Sequence, residues 1–225
     1  METKPLQWIT VKSTHPAVYP VVSARSPIRT SRLVLRSFTE DDAEQLHKLR
    51  LQNEVMKWTG QGRPDRDIEE TRTYIKKLTS PVGDDIYVLA VTLAGTGEVI
   101  GTVGSHKRLG EFGWPVLGYM IRQEFWGKGF ATELVGAFLK LWWTLPREEA
   151  EIDIRVEEST LPGGAVEGAS VPECIVAITD VKNGPSQAVL GKFGFKLVKQ
   201  WYWVEDDGTV SQTELSRSFV LGRPE

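Results

Sequence analysis

Apolar residues return along the chain with two different periods, and the longer period predicts helices. The strongest helical pattern follows position 129, where apolar side chains recur at i, i+4, i+7, i+8, i+11, i+12 and i+15 before Pro146 ends the helix. The residues that form this apolar face are Phe130, Leu134, Ala137, Phe138, Leu141, Trp142 and Leu145. A second helical pattern covers residues 68–78.

Capping signals predict two more helices. Thr39 stands three residues before Asp42, which is the spacing of a capping box at a helix start. Residues 183–193 form a shorter predicted helix, with Pro185 near its first turn and Gly194 just past its end. That placement of proline and glycine is typical of helix termini.

The shorter period predicts strands between these helices. They cover residues 30–36, 86–92, 98–103, 116–121, 173–179, 195–205 and 213–221. Gly95-Thr96-Gly97 separates two of them and indicates a hairpin. The resulting order, β-α-α-β-β-β-α-β-α-β-β, predicts a mixed α/β fold without internal repeats.

Two segments stand outside this pattern. Residues 1–28 contain four prolines and short β-branched runs, so we predict an N-terminal arm that crosses the surface with one short strand, followed by a domain at 29–225. Residues 148–173 are acidic and then glycine-rich, which indicates an insertion made of a strand and a loop. Its carboxylates could attract amines or form a solvated face.

Composition narrows the class of protein. The 225 residues include 27 basic and 30 acidic side chains, and the net charge of −3 argues against nonspecific nucleic-acid binding. The single cysteine, Cys174, lies in an apolar run and is expected to be a core residue, and the three histidines are far apart, so no metal site is expected. No run is long and apolar enough for a membrane helix, and the first residues lack an apolar signal core. We therefore expect a cytoplasmic protein with no membrane partner.

The most informative stretch is Trp126-Gly127-Lys128-Gly129-Phe130-Ala131-Thr132, which joins a predicted strand to the strongest helix. Glycines let backbone approach a ligand closely, and a helix N-terminus offers unpaired N–H groups and partial positive charge. The stretch therefore predicts an anion site suited to a pyrophosphate, although an ordinary glycine turn is the alternative. It is neither Gly-x-Gly-x-x-Gly, since position 132 is Thr, nor a P-loop.

This stretch resembles the acyl-CoA pyrophosphate loop of the GNAT superfamily of N-acetyltransferases, whose pattern is Gln/Arg-x-x-Gly-x-Gly/Ala. Trp126 takes the first position, as in the branch that resembles ribosomal-protein-alanine and spermidine-type acetyltransferases. Residues 183–195 are similar to that branch's Asn-x-x-Ser-x-x-Val-Leu-x-Lys-x-Gly-Phe. The resemblance covers roughly residues 30–221 and implies a GNAT fold: a mixed, mostly antiparallel central sheet flanked by helices, with strands splayed at the cofactor.

The resemblance also implies a cofactor, acetyl-CoA, and the residues that contact it. The implied cofactor-binding residues are Tyr119, Met120, Ile121, Trp126, Gly127, Lys128, Gly129, Phe130, Ala131, Thr132, Asn183 and Ser186. Ser186 is in addition the candidate acid that protonates the thiolate, with a helix-turn role as its alternative. Asn183 is expected to bond the pantetheine amides, to cap the helix, or to do both.

The base and the acceptor stay open at this point. Many relatives carry a carboxylate two residues before the glycine of the fourth strand, where this chain has Val116, so the alternatives are Glu111, Asp180, His106 or a water chain. For the acceptor we select Trp58 and Trp201, because aromatic rings near carboxylates suit a cationic amine.

The resemblance thus implies an enzyme that moves an acetyl group from acetyl-CoA directly to a primary amine of a small molecule or a peptide N-terminus. The loss of the family carboxylate at position 116 supports an alternative, a non-catalytic acyl-CoA-binding module. Another nucleotide-phosphate binder that uses the same loop is a third hypothesis. A homodimer is left open as the assembly.

Overall fold

A computed structural model describes residues 6–15, 19–80, 86–147, 149–161, 163–164, 166–204 and 210–224. The strands are β1 (Trp8–Ser13), β2 (Ile28–Arg29), β3 (Leu33–Arg36), β4 (Tyr87–Leu93), β5 (Val99–Ser105), β6 (Leu117–Ile121), β7 (Ile152–Glu157), β8 (Cys174–Asp180), β9 (Lys196–Val204) and β10 (Val210–Gly222). The α-helices are α1 (Ala43–Arg50), α2 (Asn53–Met56), α3 (Ile68–Thr79), α4 (Phe130–Thr144) and α5 (Gly184–Lys192). Single 3₁₀ turns cover Val22–Ala24, Glu40–Asp42, Gln123–Phe125 and Glu158–Thr160.

The predicted elements are all present, and the ends that can be compared differ by at most three residues. Thr39 and Asp42 form the predicted capping box, with the Thr39 N–H donating to Asp42 at 2.8 Å. The connection between the last two strands includes residues 205–209, which lie outside the described residues. The mixed α/β prediction is therefore confirmed.

Two compact units make up the chain. The loop unit, named for the segment 126–132 that it contains, comprises Val18–Lys107 and Gly118–Leu145. The arm unit comprises Met1–Ala17, Arg108–Leu117 and Pro146–Glu225. Whether an arm ends and a domain begins at residue 28 stays a prediction.

The loop unit is built on the five-stranded sheet β2-β3-β4-β5-β6. Its β2–β3, β3–β4 and β4–β5 pairs are antiparallel, and the β4–β5 pair is the predicted hairpin. Consecutive residues of β4 are buried, which indicates that both faces of this strand are covered. On one face Val88 and Ala90 pack with Leu46 of α1 and Ile75 of α3. On the other face the Tyr87 ring packs against Phe138 of α4, with ring centres 6.3 Å apart and a tilt of 43° between the ring planes.

The arm unit joins the N-terminal segment to the predicted insertion. β1 pairs antiparallel with β7, from Trp8 opposite Glu157 to Ser13 opposite Ile152. The strand expected in the arm is therefore present. It has an exposed side, with Trp8 39% exposed, and a buried side, with Val11 fully buried in a core cluster. The other members of this cluster are Phe112, Trp114, Ile154, Val156, Leu161, Cys174, Val176, Trp201 and Val220.

A second sheet of the arm unit has the order β8-β10-β9 and antiparallel pairing throughout. Cys174 opens β8 in the core cluster, as predicted, and burial raises the pKa of its thiol to about 12. Such a thiol is a packing group at neutral pH. Just before β6, Val116 makes a single parallel bridge to Val176 of β8, and the Val176 N–H donates to the Pro115 carbonyl at 2.9 Å.

Most described carboxylates of the acidic insertion are exposed, as expected of a solvated face, and two are not: the exposed ones are Glu149, Glu151, Asp153, Glu158 and Glu167. Glu157 is buried and accepts from Lys199 at 2.5 Å. Glu173 is buried and accepts from Arg147 Nε at 2.6 Å. These two carboxylates are neutralised by neighbouring cations within the arm unit, so they hold the insertion in place.

Neither a membrane span nor a metal cluster is found in the described part of the chain. None of its helices combines the length with the hydrophobicity needed to cross a bilayer. No three His, Cys, Asp or Glu side chains of the described residues converge as metal ligands do.

Candidate functional site

The segment 126–132 forms a tight connection between β6 and α4. A 3₁₀ turn follows β6, and both Gly127 and Gly129 then adopt the left-handed conformation, at φ +72° and +80°. Side chains with a Cβ rarely take this conformation, so the two glycines are what lets the chain turn here. Gly129 is the N-cap of α4 and no side chain caps the helix, so its N-terminal dipole faces the loop without a protein carboxylate at the cap.

Side-chain donors hold the carbonyl groups of this connection. The Trp126 indole N–H donates to the Ile121 carbonyl at 2.8 Å, and Lys128 Nζ donates to the Glu124 carbonyl at 2.8 Å. Arg32 Nη1 donates to the Lys128 carbonyl at 2.9 Å. Three carbonyl groups around the loop are thereby engaged by the protein itself, and the helix start that follows them is of the kind that binds anions.

Arg32 and Glu133 form a brace for the loop that the sequence analysis missed. Glu133, in the first turns of α4, accepts from Arg32 Nε at 2.7 Å and from the Thr30 hydroxyl at 2.6 Å. Desolvation raises the pKa of the Glu133 carboxyl, but these hydrogen bonds outweigh it and the net pKa lies below its ordinary value. The Arg32 guanidinium also stacks 4.2 Å from the centre of the Phe130 ring. The sequence contains one feature from which this brace could have been suspected, namely a basic residue, Arg32, directly before β3.

The remaining predicted residues of the loop unit continue along the same segment. Tyr119 and Met120 are partly buried in β6, and Ile121 is buried at its end. β6 is the last strand of its sheet. Trp126 is 43% exposed, while Ala131 and Thr132 are partly buried in the first turn of α4. The loop unit thus brings ten of the predicted cofactor residues into one strand, turn and helix start.

The other two predicted residues lie in the arm unit. The Asn183 side chain caps α5 by accepting from the Ser186 N–H at 3.3 Å, which confirms its capping role. Ser186 is partly buried in the first turn of that helix. β8, the strand that leads to this helix, is the outer strand of its own sheet.

Replacing Asn183 by alanine should lower the free energy of unfolding by about 1 kcal/mol, the usual cost of losing an N-cap. Chemical denaturation followed by circular dichroism measures this loss. Asn183→Asp is the matched control, because aspartate caps as well as asparagine and should stay near wild type. Equal stabilities of wild type and Asn183→Ala would contradict the capping role.

The two tryptophans selected for the acceptor have different surroundings. Trp58 is 38% exposed, and Lys57 Nζ lies 5.0 Å from the centre of its ring. Trp201 is only 6% exposed and donates its indole N–H to Ser218 at 2.8 Å. Its ring packs against Phe112 in the core of the arm unit. Contact of Trp201 with an acceptor stays a prediction, and its burial disfavours it.

Asp65 lies seven residues after Trp58 and is buried inside the loop unit. It accepts from Arg50 Nε at 2.6 Å and from the Thr71 hydroxyl at 2.6 Å. Desolvation raises the pKa of the Asp65 carboxyl, but the hydrogen bonds from Arg50 and Thr71 outweigh this effect. The net pKa therefore lies below its ordinary value. Asp65 therefore anchors the loop before α3.

Comparison with known proteins assigns the chain to a family. The model of the acetyltransferase (GNAT) domain matches residues 32–196. The uncharacterized N-acetyltransferase p20 of Bacillus licheniformis is 30% identical over 128 residues, which span 55% of this chain and 71% of that protein. The chain therefore belongs to the GNAT acetyltransferase family, and the family prediction is confirmed.

Solved structures agree on the fold. A GNAT acetyltransferase from Bacillus anthracis superposes with a TM-score of 0.63 at 20% identity, covering 89% of this chain and all of that one. RimL, a ribosomal L7/L12 alpha-N-protein acetyltransferase solved with coenzyme A, gives a TM-score of 0.61 at 17% identity, covering 88% and 98% of the two chains. The predicted GNAT fold is thereby confirmed.

Proposed function

We propose that this chain transfers the acetyl group of acetyl-CoA directly to a primary amine. The observation that carries the proposal is the turn at Gly127 and Gly129, which presents the uncapped N-terminus of α4 directly after the last strand of the sheet. A helix start of this form binds a phosphate-rich ligand through its N–H groups and its dipole. Membership of an acetyltransferase family identifies that ligand as an acyl-CoA.

In this proposal the pyrophosphate lies on the N–H groups of residues 127–132, and Lys128 adds positive charge at the rim. Tyr119, Met120 and Ile121 present the backbone that the pantetheine arm pairs with. Two observations support it: the first turn of α4 has no side-chain cap, and RimL, which shares the fold, was solved with coenzyme A. Asn183 and Ser186, which both lie in the arm unit, are assigned to the cofactor on the resemblance of residues 183–195.

For the chemistry, the nitrogen attacks the thioester carbon, its proton passes to a base or to water, and the carbon–sulfur bond breaks. The thiolate takes a proton from Ser186, and water returns a proton to the serine oxygen. A hydroxyl can serve as such an acid when it is placed at the sulfur. The acceptor is an amine of a small molecule or a peptide N-terminus, with Trp58 as the exposed aromatic side chain that suits its cation.

Incubation of the purified chain with acetyl-CoA and a panel of amines and peptides tests the proposal. Free thiol should appear only with an amine that is acetylated, and mass spectrometry should find the acetylated product. Binding of acetyl-CoA without turnover across the panel would instead favour the non-catalytic module, which Val116 motivates. The affinity of Asn183→Ala and Asn183→Asp for acetyl-CoA is compared with that of wild type. Equal affinities of all three would support the hypothesis that the chain binds another nucleotide.

A further inference from the structure

The histidines of this chain differ in what their rings contact. His15 is held through both ring nitrogens, since Nε2 lies 3.0 Å from the Arg108 carbonyl and Nδ1 accepts from Arg108 Nε at 3.1 Å. His47 Nδ1 lies 2.7 Å from the Thr71 hydroxyl, which itself donates to Asp65. Both imidazoles are therefore held in place by hydrogen bonds to neighbouring residues.

His106 makes no hydrogen bond to any residue that the structure describes, although its ring is partly buried at the end of β5. The ring packs on β6 at Gly118. A Cβ added at Gly118 would lie 2.7 Å from its Cδ2 and 3.0 Å from its Nε2. Only a glycine at that position leaves room for the imidazole, so the glycine and the histidine fit each other.

The position of this ring relates to the carboxylate that many relatives have and this chain lacks. That carboxylate stands two residues before the glycine of the strand, and alternate residues of an extended strand project to the same side. Positions 116 and 118 therefore project to the same side of the chain, and the His106 ring packs on that side at Gly118. Gly118 also directly precedes Tyr119, the first residue assigned to the cofactor.

We propose that His106 is the general base that takes the proton from the acceptor nitrogen, a role that rests on the acetyl transfer proposed above. As the nitrogen lone pair forms the bond to the thioester carbon, its N–H becomes more acidic, and the neutral imidazole accepts that proton and passes it to water. The carbon–sulfur bond breaks, and coenzyme A leaves as the thiol after taking a second proton. The products are the acetamide, coenzyme A and one proton released from the starting ammonium.

The electrostatics of the ring support its neutral form. Burial, with a smaller contribution from Lys77 of α3, lowers the pKa of His106 to about 4. The imidazole is therefore unprotonated at neutral pH, but its low pKa makes it a weak base, so it can take the proton only once bond formation has made the N–H strongly acidic. Of the competing side chains, Asp180 accepts from the Lys182 N–H at 2.6 Å and Glu111 also has a partner, whereas the His106 ring makes no hydrogen bond to a described residue.

His106→Gln is the direct test, because glutamine keeps polarity and similar bulk but cannot take the proton. We expect kcat for the best amine to fall by a factor of about 100 or more, which is the usual contribution of general acid–base catalysis. The affinity for acetyl-CoA, measured by calorimetry, should stay within about twofold of wild type, since the imidazole is not assigned to the cofactor. His15→Gln is the matched control and should keep wild-type kcat.

Two further variants separate catalysis from packing. Gly118→Ala keeps His106 but displaces its ring, so it should lose kcat as well. His106→Ala should regain part of its activity when imidazole is added to the assay, which a packing role would not produce. If His106→Gln turns over within threefold of wild type, or if imidazole rescues nothing, the proposal is overturned. A wild-type chain that acetylates no amine overturns the proposed function instead, and the base with it.

Discussion

Glu173→Ala is expected to lower the free energy of unfolding by about 3 to 5 kcal/mol, the range observed when one partner of a buried ion pair is removed. The Glu173 side chain is completely buried and Arg147 is 8% exposed. Arg147 donates to Glu173 through Nε at 2.6 Å and Nη2 at 3.1 Å, and Arg223 lies 3.9 Å away. Removing the carboxylate leaves the Arg147 guanidinium buried without its counter-charge.

Urea denaturation of wild type, Glu173→Ala and Glu149→Ala measures the effect. Glu149→Ala is the matched control. Glu149 is an exposed acid of the same insertion and should change stability by less than about 0.5 kcal/mol. The double variant Arg147→Met with Glu173→Leu should recover most of the loss, because apolar pairs often replace buried ion pairs at little cost. A Glu173→Ala protein within about 1 kcal/mol of wild type would show that the pair is not buried in solution.

Gly129→Val is expected to weaken acetyl-CoA binding by a factor of about 10 to 100. A left-handed conformation costs an ordinary residue about 1 to 2 kcal/mol, and a β-branched side chain more. The added Cβ itself meets only Arg32 Nη2, at 3.5 Å, so the cost comes from the backbone. The loop would relax toward negative φ and move the first N–H groups of α4 away from the pyrophosphate.

Gly163→Val is the control for this loop variant. Gly163 has nearly the same φ, +81°, with nothing within 4 Å of an added Cβ, but it lies in the insertion of the arm unit. It should show a comparable loss of stability in denaturation and wild-type affinity in calorimetry. Equal affinities of the two variants for acetyl-CoA would contradict the assignment of the pyrophosphate to the start of α4.

The sequence predicted local features well because they depend on neighbours along the chain. The apolar face of α4 follows from a period of 3.6 residues, and the capping box from two residues three positions apart. The loop at Gly127 and Gly129 was recognised because a helix N-terminus and its glycines are contiguous. Contacts of this kind need no knowledge of distant segments.

Features that join distant segments were not predictable in the same way. The pairing of β1 with β7 and the brace from Arg32 to Glu133 connect residues about 100 or more positions apart, and no local period encodes such pairs. The surroundings of Trp201 were also not predictable from the local pattern, because an aromatic side chain in a closing strand can face either the core or a ligand. Its burial depends on Phe112, which the pattern of β9 does not specify.

The pairing of β1 with β7 has a consequence for how the chain is completed during synthesis. β1 leaves the ribosome before the loop unit does, but its partner follows only about 140 residues after it. Closing so long a loop is entropically costly and slows folding relative to local hairpins such as β4–β5. The strands of the loop unit can therefore pair before β7 has been synthesised. During that time β1, with the apolar Val11 at its centre, has no partner strand.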